Sequence, residues 1–220
     1  MARDLYPVFL DLADRLVVVV GGGQVATDRA ARLAAHGARV RVVSPALGTP
    51  LAEMVADGRV AEHRARPYAH GDLDGAALVV AATDDAAVNR QVRDDARAAG
   101  AEVNVADDPE GSTAVIPALM REGGLSIAIT TGGASPVVSR RIREDLEARF
   151  GPGWAGLISL LAETRDELVA AHPDIAARRT AVEALIDSGV VDDIAATGPD
   201  ACRARVRTAL GLDAAAVEAA

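Results

Sequence analysis

Through the first hundred residues, apolar positions come in short continuous runs broken by turn residues, and between the runs the spacing is helical. Leu16 to Val20 is five apolar residues in succession, the pattern of a strand covered on both faces. Val8 to Leu12 predicts a shorter strand ahead of it. After the loop Gly21-Gly22-Gly23, the residues Ala30, Leu33 and Ala34 recur at helical spacing, and His36-Gly37 ends that helix. Ala38 to Val43 reads as a second strand closed by Ser44-Pro45. A helix over about 47–57 and a short strand near Val60 to His63 follow. Ala76 to Ala82 is another continuous apolar strand, Asp84 to Ala99 a helix ended by Gly100, and Glu102 to Ala106 a last strand. Strands alternating with helices across short turns predict a parallel sheet with helices on both faces.

The pattern changes after Pro109. Ala114 to Met120 and Leu125 to Thr130 read as strands joined by Arg121-Glu122-Gly123-Gly124, a hairpin. In the second strand Leu125, Ile127 and Ile129 alternate with Ser126, Ala128 and Thr130, so one face is expected to be buried. Ser135-Pro136 looks like a helix N-cap followed by proline at the first helical position. From there the periodicity is helical, with Trp154, Leu157, Ile158, Leu161 and Leu168 on one face. Gly151-Pro152-Gly153, Pro173, Gly189 and Gly198-Pro199 divide this tail into separate helices. Three regions are expected: 1–112, 113–150 and 151–220.

Composition narrows the chemistry. Only five of the 220 residues are aromatic, so the core must be built from Val, Leu, Ile and Ala. A net charge of −9 argues against a nucleic-acid or anionic-membrane surface. No apolar run reaches a membrane span, and Asp4, Asp11 and Asp14 interrupt the start, so neither anchor nor signal peptide is expected and a cytoplasmic protein is the default. There is no lysine, which excludes Schiff-base catalysis and a Walker-type phosphate lysine. One cysteine, Cys202, cannot hold a structural zinc alone, and His36, His63, His70 and His172 lack ligand spacing, so no protein metal site is expected.

Gly21-Gly22-Gly23-Gln24-Val25-Ala26 follows a predicted strand and opens a helix, the context in which a Gly-x-Gly-x-x-Ala loop indicates a dinucleotide. Gly21 allows the tight turn, Gly23 lets backbone approach the pyrophosphate, and Ala26 permits close helix–strand packing. The helix N-terminus offers unpaired amides to the phosphates. The first region is therefore a Rossmann-like dinucleotide-binding domain. The acid that usually takes the ribose hydroxyls at the end of the second strand is missing. Ser44 stands near that place, with Arg39 and Arg41 before it. Arginine there favours NADP, but alternation can turn these side chains away, so the residues leave NAD and NADP both open.

Four motifs in order resemble one family: Val20-Gly-Gly-Gly-Gln-Val-Ala26, Ala81-Ala-Thr-Asp-Asp85 with Asn89, Asn104-Val-Ala-Asp-Asp-Pro109, and Thr131-Gly-Gly-Ala-Ser-Pro136. It is the precorrin-2 dehydrogenase/sirohydrochlorin ferrochelatase family, which includes the N-terminal part of siroheme synthase. Tyr6-Pro-Val-Phe-Leu-Asp-Leu12 is also similar to the family's first strand, and the match covers about residues 5–150. The resemblance implies an oxidoreductase that uses NAD to convert precorrin-2 to sirohydrochlorin in siroheme (porphyrin-type) biosynthesis. In many members it also implies ferrous-iron insertion, a lyase activity, giving siroheme. It implies a homodimer joined through 113–150, and a tetrapyrrole rather than a nucleic acid or membrane as partner. The family's catalytic aspartate falls on Asp107. Its cofactor contacts fall on Gly21, Gly22, Gly23, Gln24, Val25, Ser44, Pro45 and Ala46. Where some bacterial members carry a serine before the Gly-Gly pair, this chain has Thr131.

The residues themselves agree with that chemistry. Asp107 comes just past the carboxyl end of a predicted parallel strand, where ligands of open α/β sheets bind. Dehydrogenation moves a hydride to NAD and loses a proton, and an aspartate, with a reference pKa of about 3.9, is ionised at neutral pH and able to accept it. The ordinary alternative is that Asp107-Asp108-Pro109 is a turn. Thr83 and Asp84 are expected to face the cofactor ribose or nicotinamide. A polycarboxylate substrate needs local cations, and Arg140, Arg141 and Arg143, with Thr131 and Ser135 at the start of their helix, are the candidate substrate contacts. Val79 to Asp85 with Asn89 also looks like the NAD-binding regulatory domains of potassium transport systems, which are sensors and not enzymes. A dehydrogenase of another small molecule on the same fold is the third alternative.

Overall fold

The computed structural model describes residues 4–213, which divide into two compact units, 4–116 and 117–213. In the first, β1 (Leu16–Val20), β2 (Arg39–Val43), β3 (Glu62–Arg64), β4 (Leu78–Ala81) and β5 (Glu102–Val105) form one parallel sheet in the order β3-β2-β1-β4-β5. The chain starts mid-sheet, works outward to β3, then crosses back to β4. The strand order therefore reverses between β1 and β4, the position where open α/β sheets bind ligands beyond their carboxyl ends.

The unbroken apolar run of β1 is explained by two cores. Val17 and Val19 pack on one face with Ala26, Ala30 and Leu33 of α1 (Gln24–Ala35) and with Leu51 and Met54 of α2 (Thr49–Ala56). Leu16, Val18 and Val20 pack on the other with Val92 and Ala96 of α3 (Ala86–Ala98). Alternating side chains with both faces covered leave no position for a polar residue.

The segment Val8 to Leu12 is not a strand. Leu12 is buried, but Val8 and Phe9 are 63% and 72% exposed. Both neighbours of β1 in the sheet are later strands, β2 and β4, so the segment leading into β1 has no edge of it to join. Asp14, at φ 58, turns the chain, and ladder-type bonding begins with the Arg39 amide donating to the Arg15 carbonyl.

In the second unit β6 (Ala118–Glu122) and β7 (Leu125–Ile129) form an antiparallel hairpin. Glu122 pairs with Leu125, so the turn is Gly123-Gly124 alone, and residues 114–117 lie outside the strand that was expected to include them. Leu125, Ile127 and Ile129 are half-buried and alternate with exposed Ser126 and Ala128. α4 (Pro136–Arg149) packs on this hairpin. Beyond it, α5 (Pro152–Glu163), α6 (Arg165–Ala171), α7 (Ile175–Asp187), α8 (Val190–Thr197) and α9 (Pro199–Ala209) enclose their own core of Leu157, Leu160, Leu168, Leu185, Ile194 and Val206. The buried stripe is thus centred on Leu157 and Leu160, with Trp154, Ile158 and Leu161 half-buried beside it. Gly153 and Gly156 bring α5 against α8: an added Cβ would lie 2.3 Å from the Val191 oxygen and 2.5 Å from Ile194 Cγ2. Among the described residues no helix is long and apolar enough to cross a membrane.

Candidate active site

Three loops meet at the carboxyl end of the sheet. Gly21 has φ +128, its amide donates to the Val43 carbonyl at 3.0 Å, and an added Cβ would lie 2.2 Å from the Ala82 oxygen. At Gly22 a Cβ would sit 1.9 Å from the Ala46 oxygen and 2.6 Å from Ser44 Oγ. These two glycines lock the loops after β1, β2 and β4 together. Gly23 differs, because a Cβ there would meet nothing within 4 Å. It is the N-cap of α1, brings no capping side chain, and is followed by a first turn with no acid. The first amides of α1 therefore open onto free space, as an anion seat requires. Ala26 is wholly buried against the sheet.

A cleft of about 400 Å³ lies over this junction, bounded by Gly21 to Gly23, Ser44-Pro45-Ala46, Pro67-Tyr68 and Thr83-Asp84-Asp85. A floor without side chains beside uncapped amides fits a dinucleotide pyrophosphate. The Ser44 hydroxyl donates to the Ala46 carbonyl at 2.7 Å and so shapes the turn. Gln24 and Val25 follow the glycines at the start of α1, outside the lining of the cleft: the Gln24 side chain donates to Asp28 at 2.8 Å and that of Val25 is exposed. Asp85 caps α3, accepting from the amides of Ala87 and Val88. Among the described residues that line the cleft there is no arginine or histidine, and two are aspartates.

Asn89, 1% exposed on α3, ties this cleft to Asp107. Its side-chain oxygen accepts from the Thr83 amide at 3.1 Å and the Thr83 hydroxyl at 2.8 Å. Its side-chain nitrogen donates to the Thr83 carbonyl at 2.9 Å and to Asp107 Oδ1 at 3.0 Å. Asp107 is exposed just beyond β5, while its neighbour Asp108 does the structural work of the turn. Asp108 accepts from the Gly111 amide at 2.8 Å and from Arg93 at 3.0 Å, and these bonds hold its carboxyl below the usual range. Asn89 belongs to a motif visible in the sequence, but its two-sided bonding becomes visible only when β4 and β5 are side by side.

The structure also reveals an ionic cluster beside the cleft with no signal in local sequence. Arg41 donates to Glu62 at 2.6 Å and to the Asp72 carbonyl at 3.1 Å, so it does not present a free guanidinium. Arg39 is exposed at the opposite end of β2. Arg64 bridges Glu62 and Asp72 at 2.7 and 2.5 Å, and Arg66 meets Asp72 at 2.6 and 2.8 Å. Tyr68 donates to Asp95 at 2.8 Å, and burial together with that bond pushes its hydroxyl well above the ordinary value.

The remaining candidate residues lie in the second unit. Ser135 caps α4, accepting from the Val138 amide, and Thr131 Oγ1 accepts from the Ser135 amide at 3.1 Å and donates to its carbonyl at 3.2 Å. Both hydroxyls therefore shape the start of the helix. Arg141 pairs with Asp145 and Arg143 with Glu147, whereas Arg140 is exposed and pairs with no carboxylate among the described residues. No group of three or more metal-ligating side chains occurs among the described residues.

Residues 8–118 match an NAD(P)-binding family model, and residues 122–149 match the central region of sirohaem biosynthesis proteins. A siroheme synthase of Chromobacterium violaceum is 39% identical over 203 residues, covering 92% of this chain and 43% of that protein. One from Gluconacetobacter diazotrophicus is 42% identical over 185 residues, covering 83% and 39%. The chain thus spans less than half the length of these relatives. A solved precorrin-2 dehydrogenase superposes with a TM-score of 0.73 at 28% identity, covering 93% of this chain and 100% of the other. The family model and this structural neighbour together support NAD as the cofactor of the glycine loop. The match over 122–149 lies outside the segment that matches the NAD(P)-binding model up to residue 118. The chain belongs to the precorrin-2 dehydrogenase/sirohydrochlorin ferrochelatase family, which also includes the N-terminal part of siroheme synthase.

Proposed function

We propose that this chain oxidises precorrin-2 to sirohydrochlorin with NAD, acts as a homodimer, and inserts ferrous iron into the product. The observation that carries the reading is the single buried amide of Asn89, bonded on one side to Thr83 at the cleft rim and on the other to Asp107. A hydride acceptor and a proton acceptor must address the same substrate, and Asn89 fixes the two loops that hold them. NAD, when bound, takes the hydride. The amides at Gly23, Gln24 and Val25 hold its pyrophosphate, the Ser44-Pro45-Ala46 turn its adenosine ribose, and Thr83 with Asp84 its nicotinamide half. Asp107 accepts the proton that leaves with the hydride. Metal insertion removes two pyrrole protons, and the same carboxylate serves there, with ferrous iron as substrate.

Arg140, Arg141 and Arg143 are proposed contacts for the tetrapyrrole's carboxylates; the unpaired, exposed Arg140 is the first of them to test. The homodimer is supported by apolar surface on α4 that its own unit leaves uncovered: Val137, Val138 and Ile142 are 73%, 47% and 40% exposed.

Asp107→Asn tests the reading. It keeps size and one acceptor oxygen for Asn89 but removes the charge. The variant is expected to bind NAD as the parent does while precorrin-2 oxidation falls by roughly 10²–10⁴-fold, the usual scale of general-base catalysis. Iron insertion should fall in parallel. Near-normal rates in both assays would reduce Asp107 to a turn residue.

A further inference from the structure

The end of β2 is where a Rossmann-type cleft meets the adenosine ribose, and an arginine near it is the usual means of accepting a 2′-phosphate. Two arginines stand there. The Ser44 amide donates to the Arg64 carbonyl at 3.2 Å, and Arg66 precedes Pro67-Tyr68, which line the cleft opposite Ser44-Pro45-Ala46. Position alone therefore favours NADP. Neither guanidinium is directed at the cleft, however, because both converge on one carboxylate. Asp72 is 1% exposed and takes Arg64 at 2.5 Å, Arg66 through two nitrogens at 2.6 and 2.8 Å, and the Ala69 amide at 2.9 Å. Arg66 also donates to the Pro67 carbonyl, and Glu62 takes the Nε donors of Arg64 and Arg41. Burial pushes the Asp72 carboxyl up, but the bonds from Arg66, the Ala69 amide and Arg64 outweigh it and hold the group far below the usual carboxylate range. The carboxyl is therefore charged at neutral pH.

We propose that Asp72 makes the cleft selective for NAD over NADP by withholding Arg64 and Arg66 from the adenosine ribose. This rests on reading the cleft as the NAD site. Two effects act together. The Arg64 and Arg66 donors that meet Asp72 are committed to charge-assisted bonds with a buried carboxylate, which a solvated 2′-phosphate cannot break without leaving Asp72 buried and unpaired. In addition, no arginine or histidine among the described residues lines the cleft to take a 2′-phosphate in their place. Selectivity thus comes from a residue some thirty positions past Ser44 and not from an acid at the end of β2.

The test measures NADH and NADPH binding to the full chain by the fluorescence of the reduced nicotinamide. The wild type should prefer NADH by tenfold or more. Asp72→Asn frees the arginines, and the ratio of the two dissociation constants should shift at least tenfold toward NADPH, mainly through tighter NADPH binding. Adding Arg66→Ala to that variant should reverse most of the shift. An Asp72→Asn protein that folds, binds NADH and keeps the wild-type ratio overturns the proposal. If that variant does not fold, Arg66→Ala in the wild-type background decides. An arginine withheld from the ribose leaves the NADPH dissociation constant unchanged when it is removed, which supports the proposal, whereas NADPH binding weakened severalfold with NADH binding kept overturns it. A wild type that binds neither nucleotide overturns the reading of the cleft itself, whereas one that binds both equally overturns only the role of Asp72.

Discussion

Gly21, Gly22 and Gly23 form one motif in the sequence and do different work in the structure. The first two have neighbours so close that a methyl group would collide with backbone, so their substitution damages the fold. Gly23 faces open space with ordinary φ and ψ of −83° and −170°, so the protein itself leaves room for a side chain that the proposed pyrophosphate would not. This separates binding from stability. Gly23→Asp supplies α1 with the capping carboxylate it lacks, and thermal or urea unfolding should show stability unchanged or raised by a few tenths of a kcal/mol. The same carboxylate occupies the pyrophosphate's amides, so NAD binding should be lost. Retained NAD affinity would move the phosphate seat elsewhere. Gly22 was invisible as a steric position in the sequence because the atoms it meets, at Ala46 and Ser44, belong to a loop more than twenty residues away.

At the scale of elements, β1 and β4 were legible because a strand covered on both faces must be apolar at every position, and few other structures of that length need this; β2, which carries Arg39 and Arg41 between its valines, was marked out by the turns at Gly37 and Ser44-Pro45. The segment Val8 to Leu12 is apolar at every position but Asp11 and is not a strand, because strand identity also needs a free neighbouring edge and composition does not report one. The loop from β3 to β4 was illegible for a related reason: its arginine bonds, to the Asp72 carboxylate and carbonyl, reach across 6 to 31 residues, and no local pattern marks Asp72. That loop carries a pH signature. The Asp72 carboxyl is lowered in the fold, so its contribution is fully present above the unfolded value of about 3.9 and disappears as pH falls through the lower folded value. Glu62, lowered by Arg64 and then Arg41, acts in the same direction. Asp72→Asn should cost about 3 kcal/mol at pH 7, the lower end for unpairing a buried group, since both arginines reach solvent. Urea unfolding of both proteins should show that difference shrinking below about pH 4. A difference independent of pH would mean that packing, not charge, holds the loop.

For the whole molecule, the proposed polycarboxylate substrate requires a chain of net charge −9 to concentrate its cations, and the helix α4 that carries Arg140, Arg141 and Arg143 also carries the exposed Val137, Val138 and Ile142. Substrate binding and self-association are thus expected from one surface region. Light scattering at micromolar concentration should give twice the 22.6 kDa chain mass, and Val137→Asp with Ile142→Asp should return it to the monomer. A wild-type monomer would leave that apolar face needing another partner. The chemistry itself is tested most directly by supplying precorrin-2 and NAD to the purified chain and following NADH and sirohydrochlorin absorbance together. Equal molar amounts of the two are expected, with no comparable rate from NADP. Precorrin-2 that remains unchanged under conditions where NAD is bound would contradict the assignment of this cleft as a dehydrogenase site.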